Sequence, residues 1–355
     1  MIRRPIHRPM RNWAARIHES SLGGFATVVL ENRYLRLTVL VDKGADLVEL
    51  NYKPHDLDFV WWAADGLPPA AGNGSPDPAA AFFGWYEGGW QEIFPNGGAP
   101  SRHRGAPFAQ HGDLASQAWD YAIADDTADA VAVTFTARSR GVPARVSKTL
   151  RLAGGQPCFS VNSQLTNESD VPVEAMWGQH ITFGQPFLRP GCTLLLPPGL
   201  RVLTHPEAIN PPRRRVAHRG EPYPWPAVTS PDGEGVDLSI LPAAGTPSEM
   251  LYLTGFADGW YELADPGTGR GLRLDWDARV LPYLWFWQEF GGTVDYPWYG
   301  RNYNIGLEPF SSYPTNGLAE AVRNRTALTL APHQTRDLAM RIQVLDEAPG
   351  GGEPE

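Results

Sequence analysis

The chain has 355 residues, of which 42% are hydrophobic and 19% charged, and this composition excludes a disordered protein. Its formal charge of −9 provides no basic face for nucleic acid or for an anionic membrane surface, so we expect neither as a partner. The 37 glycines and 34 prolines are spread along the sequence, which is incompatible with long helices.

Strand-like segments recur from one end of the chain to the other. In 130–137, for example, β-branched and apolar residues alternate with polar or small ones. Turn signals such as Pro231-Asp232-Gly233 separate the segments, and only 318–325 resembles a short helix. This pattern predicts an all-β protein, a large antiparallel β-sandwich. The predicted strands are 26–30, 35–41, 130–137, 145–152, 158–166, 251–256, 271–276, 283–288, 327–330 and 338–344.

The domain organisation is expected to be simple. No break in composition and no fixed-period repeat divides the chain, so we predict one domain over 1–345 and a disordered acidic Gly/Pro tail over 346–355. No apolar run follows the arginines near the N-terminus, so a signal peptide is not predicted and a cytoplasmic protein is expected. Cys158 and Cys192 are predicted to be buried free thiols that cannot form a zinc site alone.

One compact basic run, Arg213 to Arg215, is flanked by His218 and Arg219. We interpret it as a solvated loop, and contact with an anionic substrate group or a partner is the alternative. The overall charge favours a neutral or weakly polar ligand.

Aromatic residues are concentrated at 82–90 and 284–287, in a chain with 13 tryptophans. Aromatic faces can stack on the C–H face of a sugar ring while polar groups bond its hydroxyls. Core packing is an equally good interpretation for the second cluster. It is weaker for Trp85 and Trp90, which lie among glycines in a predicted loop.

Polar residues suited to chemistry occur in three strings, at 94–113, 177–184 and 306–316. In each, a titratable residue ends a strand-like stretch beside Gly or Pro, where side chains can converge on a cleft. A single histidine in a β-protein is more often structural, so the strings become informative only in combination.

In this order, Pro95-Asn96, His111-Gly112, His180 and Glu308-Pro309 resemble the motifs of the aldose 1-epimerase (galactose mutarotase-like) superfamily. The early string 44–47 resembles that superfamily's N-terminal strands, and the resemblance extends over about residues 25–345. It implies a supersandwich fold, a small-molecule sugar as the partner, and an enzyme that interconverts sugar anomers without a cofactor.

The resemblance also implies roles for individual residues. Glu308 would be the base and His180 the acid for ring opening, with the roles reversed on closure. His111 would hydrogen-bond the ring oxygen or its neighbour. The expected substrate-binding residues are Asn96, Gln179, Trp90, Arg102 and Arg104.

The sequence departs from the superfamily pattern at several positions. Gly97 stands where an arginine is expected, and Arg102 or Arg104 from the same loop could replace the lost charge. The His-x-Tyr-Phe string is only partly kept, at 180–183. Three aspartates, Asp258, Asp275 and Asp277, lie where the substrate-binding aspartate is expected, and the sequence does not assign the role to any one of them.

The sequence is also compatible with other functions and with a different kind of site. A non-catalytic carbohydrate-binding protein on the same scaffold is the main alternative, because fold does not fix function. A lyase or glycoside hydrolase would usually carry an extra helical domain, which is not predicted. A metal site built from His103, His111 and His180 is disfavoured because no i, i+4 pair supports it.

Overall fold

The computed structural model describes residues 13–67 and 78–346. The two helices of this part are α1 (Pro78–Phe83) and α2 (Leu318–Arg323), and short 3-10 turns cover Lys53–His55 and Leu114–Ser116. Its strands are, in chain order, β1 (Arg16–Leu22), β2 (Phe25–Glu31), β3 (Leu35–Leu40), β4 (Asp46–Tyr52), β5 (Leu57–Asp58), β6 (Trp90–Ile93), β7 (Ser101–His103), β8 (Ala106–Phe108), β9 (Asp120–Asp126), β10 (Ala130–Arg138), β11 (Ala144–Ala153), β12 (Cys158–Asn167), β13 (Val173–Ala175), β14 (Gly178–Gly184), β15 (Thr193–Leu195), β16 (Arg201–Thr204), β17 (Tyr223–Pro224), β18 (Ala227–Thr229), β19 (Gly235–Asp237), β20 (Glu249–Thr254), β21 (Gly259–Asp265), β22 (Arg270–Trp276), β23 (Tyr283–Glu289), β24 (Asn304–Phe310), β25 (Leu328–Leu330) and β26 (Thr335–Asp346).

Two large antiparallel sheets dominate the described part of the chain. The first has twelve strands in the order β1-β2-β3-β4-β6-β14-β24-β23-β20-β16-β17, with β5 paired to β4. The second has eight strands in the order β15-β21-β22-β26-β12-β11-β10-β9. Apolar side chains from both sheets form one buried core, so the sheets pack face to face. The predicted all-β sandwich is confirmed.

The alternating segments of the sequence become the second sheet. In β11 the burial alternates residue by residue, because one face meets the core and the other meets solvent. The other predicted strands are also present, with ends that differ by up to three residues, and the predicted short helix is α2. Neither α1 nor α2 has the length or apolar character needed to cross a bilayer, among the residues that the structure describes.

The centre of the first sheet is built differently. Every residue of β14 and of β24 is buried, because the core covers one face and loops cover the other. A second apolar cluster lies on this covered outer face and includes Met250, Tyr252 and Trp285. Side chains of alternating positions in these strands therefore face either the core or an enclosed space under the loops.

Some sequence predictions remain open and one is corrected. The division at residue 345 stays a prediction; Asp346 ends β26, and the rest of the predicted tail, like the N-terminal arginines, lies outside the described residues. Cys158 and Cys192 are buried and free, as predicted. The basic run is only partly a solvated loop: Arg213 is exposed, but Arg214 donates to the carbonyl of His205 and Arg215 is buried against Gln288.

Candidate active site

A cavity of about 280 Å³ opens on the outer face of the first sheet. Its floor comes from β14, β20, β23 and β24, and its walls come from loops that cross this face. Among the described residues that line it, none is a lysine or an arginine, and the acidic ones are two glutamates. The lining residues are Tyr86, Gly98, Ala99, Gln110, His111, His180, Ile209, Met250, Trp285, Trp287, Glu289, Thr293, Tyr296, Pro297, Trp298, Glu308 and Thr315.

Glu308 lies on the cavity floor in β24. In β23, Trp285 pairs with Glu308. In β14, on the other side, Thr182 pairs with Gly306, and the same antiparallel register places His180 beside Glu308. The carboxyl group lies over Gly306, where a Cβ atom would be only 2.2 Å from Oε1. Burial raises the pKa of Glu308 well above its ordinary value of 4.5.

His180 is the neighbour that can exchange a proton with Glu308. Its Nε2 lies 3.7 Å from Oε1 of Glu308, and its Nδ1 lies 3.4 Å from the hydroxyl of Tyr86. Burial lowers the pKa of His180 from 6.5 to about 3. The two pKa shifts favour a neutral pair, with one proton on the carboxyl. Moving that proton to His180 gives an ion pair, and in both arrangements the pair contains one acid and one base.

His111 completes the group from a loop after β8. Its φ of 57° is left-handed, a conformation that non-glycine residues adopt at a cost, as occurs at functional sites. Its Nδ1 accepts a hydrogen bond from the backbone N–H of Gly98 at 3.3 Å, so the neutral ring carries its proton on Nε2. Its ring centroid lies 4.9 Å from that of His180. Burial, together with the charge of His180, lowers the pKa of His111 well below 6.5.

Five tyrosine and tryptophan side chains line the cavity. Trp287 lies on the floor, and its ring centroid is 6.4 Å from that of His180 and 5.7 Å from that of Trp298. Tyr296 is 58% exposed, although it also lines the cavity. A chamber with aromatic walls and a few polar groups is suited to a ring with one apolar face and several hydroxyls.

Glu289 is the second carboxylate of the cavity and was not identified from the sequence as a site residue. It ends β23 and accepts hydrogen bonds from the hydroxyl of Ser248 at 2.7 Å and from the hydroxyl and backbone N–H of Thr293 at 2.6 and 3.1 Å. A carboxylate has about four acceptor positions, so these three bonds leave one for a ligand.

Comparison with known families adds to this geometry. The model of the family described as Domain of unknown function (DUF4432) matches residues 23–213, more than half of the 355 residues. The chain belongs to this family. The match includes His111 and His180 and ends before Glu308. No curated protein sequence matches the chain.

Solved structures share the fold of this DUF4432 chain. A candidate aldose 1-epimerase from Klebsiella pneumoniae matches with a TM-score of 0.69 at 17% identity, over 91% of this chain and 80% of that one. A galactose mutarotase-like protein from Clostridium acetobutylicum matches with a TM-score of 0.63 at 12% identity, over 94% and 99%. One from Lactobacillus casei matches with a TM-score of 0.56 at 18% identity, over 90% and 99%. The fold is therefore galactose mutarotase-like, which confirms the fold that the motif resemblance implied.

Two predicted substrate-binding residues of the DUF4432 chain lie on the wrong face of the sheet. Gln179 precedes His180 in β14 and therefore faces the core. Its Oε1 accepts from Nε1 of Trp90 at 2.8 Å, and its Nε2 donates to Glu92 at 2.8 Å. Gln179 and Trp90 are buried in these contacts, and neither lines the cavity.

Asn96 is also fully buried and away from the cavity. Its Oδ1 accepts from the backbone N–H of Leu318 at 2.7 Å, and its Nδ2 donates to the carbonyls of Ala99 and Ala109, both at 2.9 Å. Because Ala99 and nearby His111 line the cavity, Asn96 holds the loop that carries them rather than facing the cavity itself.

The predicted arginines do not approach the cavity either. Arg102 and Arg104 belong to the β7–β8 hairpin, where both are exposed. Nη2 of Arg104 lies 2.8 Å from the carboxylate of Glu174. Because both side chains are exposed and neither lines the cavity, neither guanidinium replaces the missing charge.

The structure explains why Gly97 is not an arginine. A Cβ at Gly97 would lie 2.8 Å from the ring of Phe310 and 2.9 Å from that of Trp285. These two rings stack with centroids 3.6 Å apart and an angle of 3° between their planes. An aromatic pair therefore occupies the space beside Gly97, and a larger side chain would collide with it.

The three candidates for the substrate-binding aspartate lie away from the cavity. Asp258, Asp275 and Asp277 line a groove on the outer side of the second sheet, and none lines the cavity. His103 is 2.8 Å from Glu174. Within 13–67 and 78–346, no group of three His, Cys, Asp or Glu side chains is arranged to hold a metal ion.

The opposite pKa shifts of His180 and Glu308 predict how stability depends on pH. Between about pH 5 and about pH 6 the unfolded pair holds close to one proton, on the histidine, and the folded pair also holds one. The pair therefore adds no slope to the free energy of unfolding in the wild type. In Glu308→Gln, buried His180 stays neutral while the unfolded histidine is protonated, so stability should rise with pH. In His180→Asn, buried Glu308 keeps a proton that the unfolded chain loses, so stability should fall.

Each single variant should change the free energy of unfolding by about 1 kcal/mol per pH unit relative to wild type, with opposite signs. Urea titrations at about pH 5 and about pH 6 measure this difference. The double variant is the control and should run parallel to wild type. Parallel curves for all four proteins would contradict the two pKa shifts.

Proposed function

We propose that this protein interconverts the anomers of an uncharged aldose by acid/base opening and closure of the sugar ring. The observation that carries the proposal is the contact between His180 and Glu308, 3.7 Å apart, on the floor of an aromatic cavity. A carboxyl group and an imidazole in such a pair suit the two simultaneous proton transfers of the reaction.

In the proposed mechanism, Glu308 takes the proton of the C1 hydroxyl as the bond between C1 and the ring oxygen breaks. His180 gives a proton to that ring oxygen, and an open-chain aldehyde forms. Rotation about the C1–C2 bond exposes the other face of the aldehyde. The two residues then reverse their roles, the ring closes, and the single proton of the pair returns to His180.

Burial alone favours protonated Glu308 and neutral His180, which is the opposite of the starting state that these roles require. A C1 hydroxyl that donates to the carboxylate stabilises its charged form and so favours transfer of the proton to His180. His111, which carries its proton on Nε2, can donate to a sugar oxygen and stabilise the negative charge that develops there.

The lining supports an uncharged substrate of the size of a monosaccharide. The carboxylate of Glu289 would repel a phosphate or a carboxylate, and the described lining contains no lysine or arginine to pair with one. A volume of about 280 Å³ lies just below the usual range for ligand cavities, about 300–1,000 Å³. One sugar ring fits this space better than an oligosaccharide does.

A binding protein without turnover is the second candidate. It is favoured by the absence of a cation in the described lining, because the expected arginine is Gly97 beside the stacked Trp285 and Phe310. Sugar binding would then use the same aromatic walls and Glu289, while the imidazoles would act only as hydrogen-bonding groups.

Polarimetry distinguishes the two functions. Freshly dissolved α-D-glucose or α-D-galactose, or another aldose of a small panel, should reach anomeric equilibrium faster when the protein is present. Sugar binding is followed in parallel by the fluorescence of Trp287 and Trp298, which line the cavity. Fluorescence changes without acceleration by any aldose would favour the binding protein. The absence of both effects would contradict both functions.

A further inference from the structure

A row of polar side chains runs from the protein surface to the cavity wall. Glu207 is 69% exposed, and its Oε2 lies 3.3 Å from Nε2 of His205. Nδ1 of His205 lies 2.7 Å from the hydroxyl of Tyr252, which lies 2.9 Å from Oγ1 of Thr315. His205 and Tyr252 are buried, and Thr315 lines the cavity. The row therefore connects a solvent-exposed carboxylate to a hydroxyl group at the cavity.

The backbone holds Thr315 in this position. Its N–H donates to the hydroxyl oxygen of Tyr252 at 2.9 Å, and its carbonyl accepts from the N–H of Ala99 at 2.7 Å. Ala99 lines the cavity as well. Thr315 therefore has little freedom to turn away from Tyr252, and the hydrogen-bonding character of its hydroxyl is set by that partner.

The charge of Glu207 sets the direction of the hydrogen bonds among His205, Tyr252 and Thr315. Oε2 of Glu207 lies 3.3 Å from Nε2 of His205, where a bare lone pair would face the negative charge of the carboxylate. The ring proton therefore lies on Nε2, and Nδ1 is the acceptor. The hydroxyl of Tyr252 must then donate to Nδ1, and its oxygen accepts from Thr315. The Thr315 hydroxyl donates its one proton to Tyr252, so toward the cavity it can only accept a hydrogen bond.

We propose that Thr315 is a specificity-determining residue that accepts a hydrogen bond from one sugar hydroxyl, and that His205 and Tyr252 are positioning residues that fix its polarity. This inference rests on the proposed function, because it requires a sugar in the cavity. It deepens that function by assigning the substrate class: an aldose with a free hydroxyl at the ring position beside Thr315, not a deoxy sugar there.

The surroundings keep the row in this state at neutral pH. Burial lowers the pKa of His205 to about 4, and the positive charges of Arg214 and His218 act in the same direction against the opposing charge of Glu207. Burial also raises the pKa of Tyr252, so its hydroxyl keeps the proton that it donates. Neutral His205 and protonated Tyr252 are the two conditions that the polarity requires.

The first part of the test needs no sugar. Nitrogen-15 NMR of the full chain at neutral pH should find His205 with its proton on Nε2 and a bare Nδ1, and His205→Gln assigns the resonance. A proton on Nδ1 would overturn the proposed polarity, whatever the protein binds.

The second part uses the aldose of the polarimetry panel that binds best, together with its monodeoxy analogues. Wild type should bind one of these analogues about two- to tenfold more weakly than the parent sugar, as expected for one neutral hydrogen bond. Thr315→Val, which has nearly the same shape, should abolish that difference, and Thr315→Ser should restore it. Tyr252→Phe frees the Thr315 proton, so the deoxyfluoro analogue at the same position should bind better than the deoxy analogue in this variant only.

The outcomes separate this inference from the proposed function. If sugar binds but Thr315→Val keeps the full preference for the parent over each deoxy analogue, the assignment of Thr315 is overturned while sugar binding stands. If wild type binds no aldose, the proposed function is contradicted and the substrate assignment fails with it. If sugar binds without turnover, only the catalytic step is lost.

Discussion

Glu308→Gln is expected to lower the acceleration of mutarotation by about 10²- to 10⁴-fold, the usual contribution of a positioned acid or base. Glutamine has nearly the same shape as the protonated carboxyl that burial favours, so the cavity should keep its form. It cannot take a proton from the C1 hydroxyl. Polarimetry measures the loss, and tryptophan fluorescence should still report sugar binding in the variant.

The matched control is Glu262→Gln, on the second sheet, where Glu262 contacts Arg273 at 2.8 Å away from the cavity. This variant should keep wild-type acceleration. A Glu308→Gln protein that binds sugar and retains acceleration close to that of wild type would show that the carboxyl group takes no part in proton transfer. Loss of binding together with acceleration would instead assign Glu308 to substrate binding.

The strands of the second sheet could be predicted from the sequence because one face of the sheet is exposed to solvent. In β10 and β11, inward apolar residues alternate with outward polar ones, which gives the period of two. The strands that carry the site, β14 and β24, were less visible. Both are buried on both faces, so Gly178–Gly184 and Asn304–Phe310 show no alternation. Their functional residues were found only through the motif resemblance.

The alternation of side chains along a strand also shows why the predicted sugar contacts of Gln179 and Trp90 are wrong. If His180 faces a cleft, then Gln179 in the same strand faces the opposite side, and both cannot contact one sugar. Trp90 likewise belongs to the core face, where its indole N–H bonds Gln179. A motif gives the order of residues along the chain, whereas the face of the sheet must be derived from strand geometry.

Other site residues had no local signal at all. Thr315 lies on a loop, and its importance depends on contacts with Tyr252, which is 63 positions away in sequence. The crowding around Gly97 depends on two aromatic rings from separate strands. Such long-range contacts exist only in the folded chain, so neither residue could be assigned a role from its sequence neighbours.

Glu289 is the clearest example of a site residue without a local sequence signal, and its replacement should weaken sugar binding strongly. Glu289→Gln should reduce affinity by about tenfold or more, because a hydrogen bond from a sugar hydroxyl to a charged acceptor is stronger than one to a neutral amide. Glutamine also has only one accepting terminal atom for the donors of Ser248 and Thr293. Titration of tryptophan fluorescence with the best-binding aldose measures the change.

Asp275→Asn is the matched control, since Asp275 is one of the aspartates that the sequence left open and it lies in the groove on the second sheet. Affinity should be unchanged in that variant. Equal affinities for wild type and Glu289→Gln would mean that the fourth acceptor position of Glu289 meets no sugar hydroxyl. The reverse pattern, with binding lost only in Asp275→Asn, would move the sugar from the cavity to the outer groove. Glu289 lies in the first sheet and Asp275 in the second. This pair of variants therefore locates the bound sugar as well as testing Glu289.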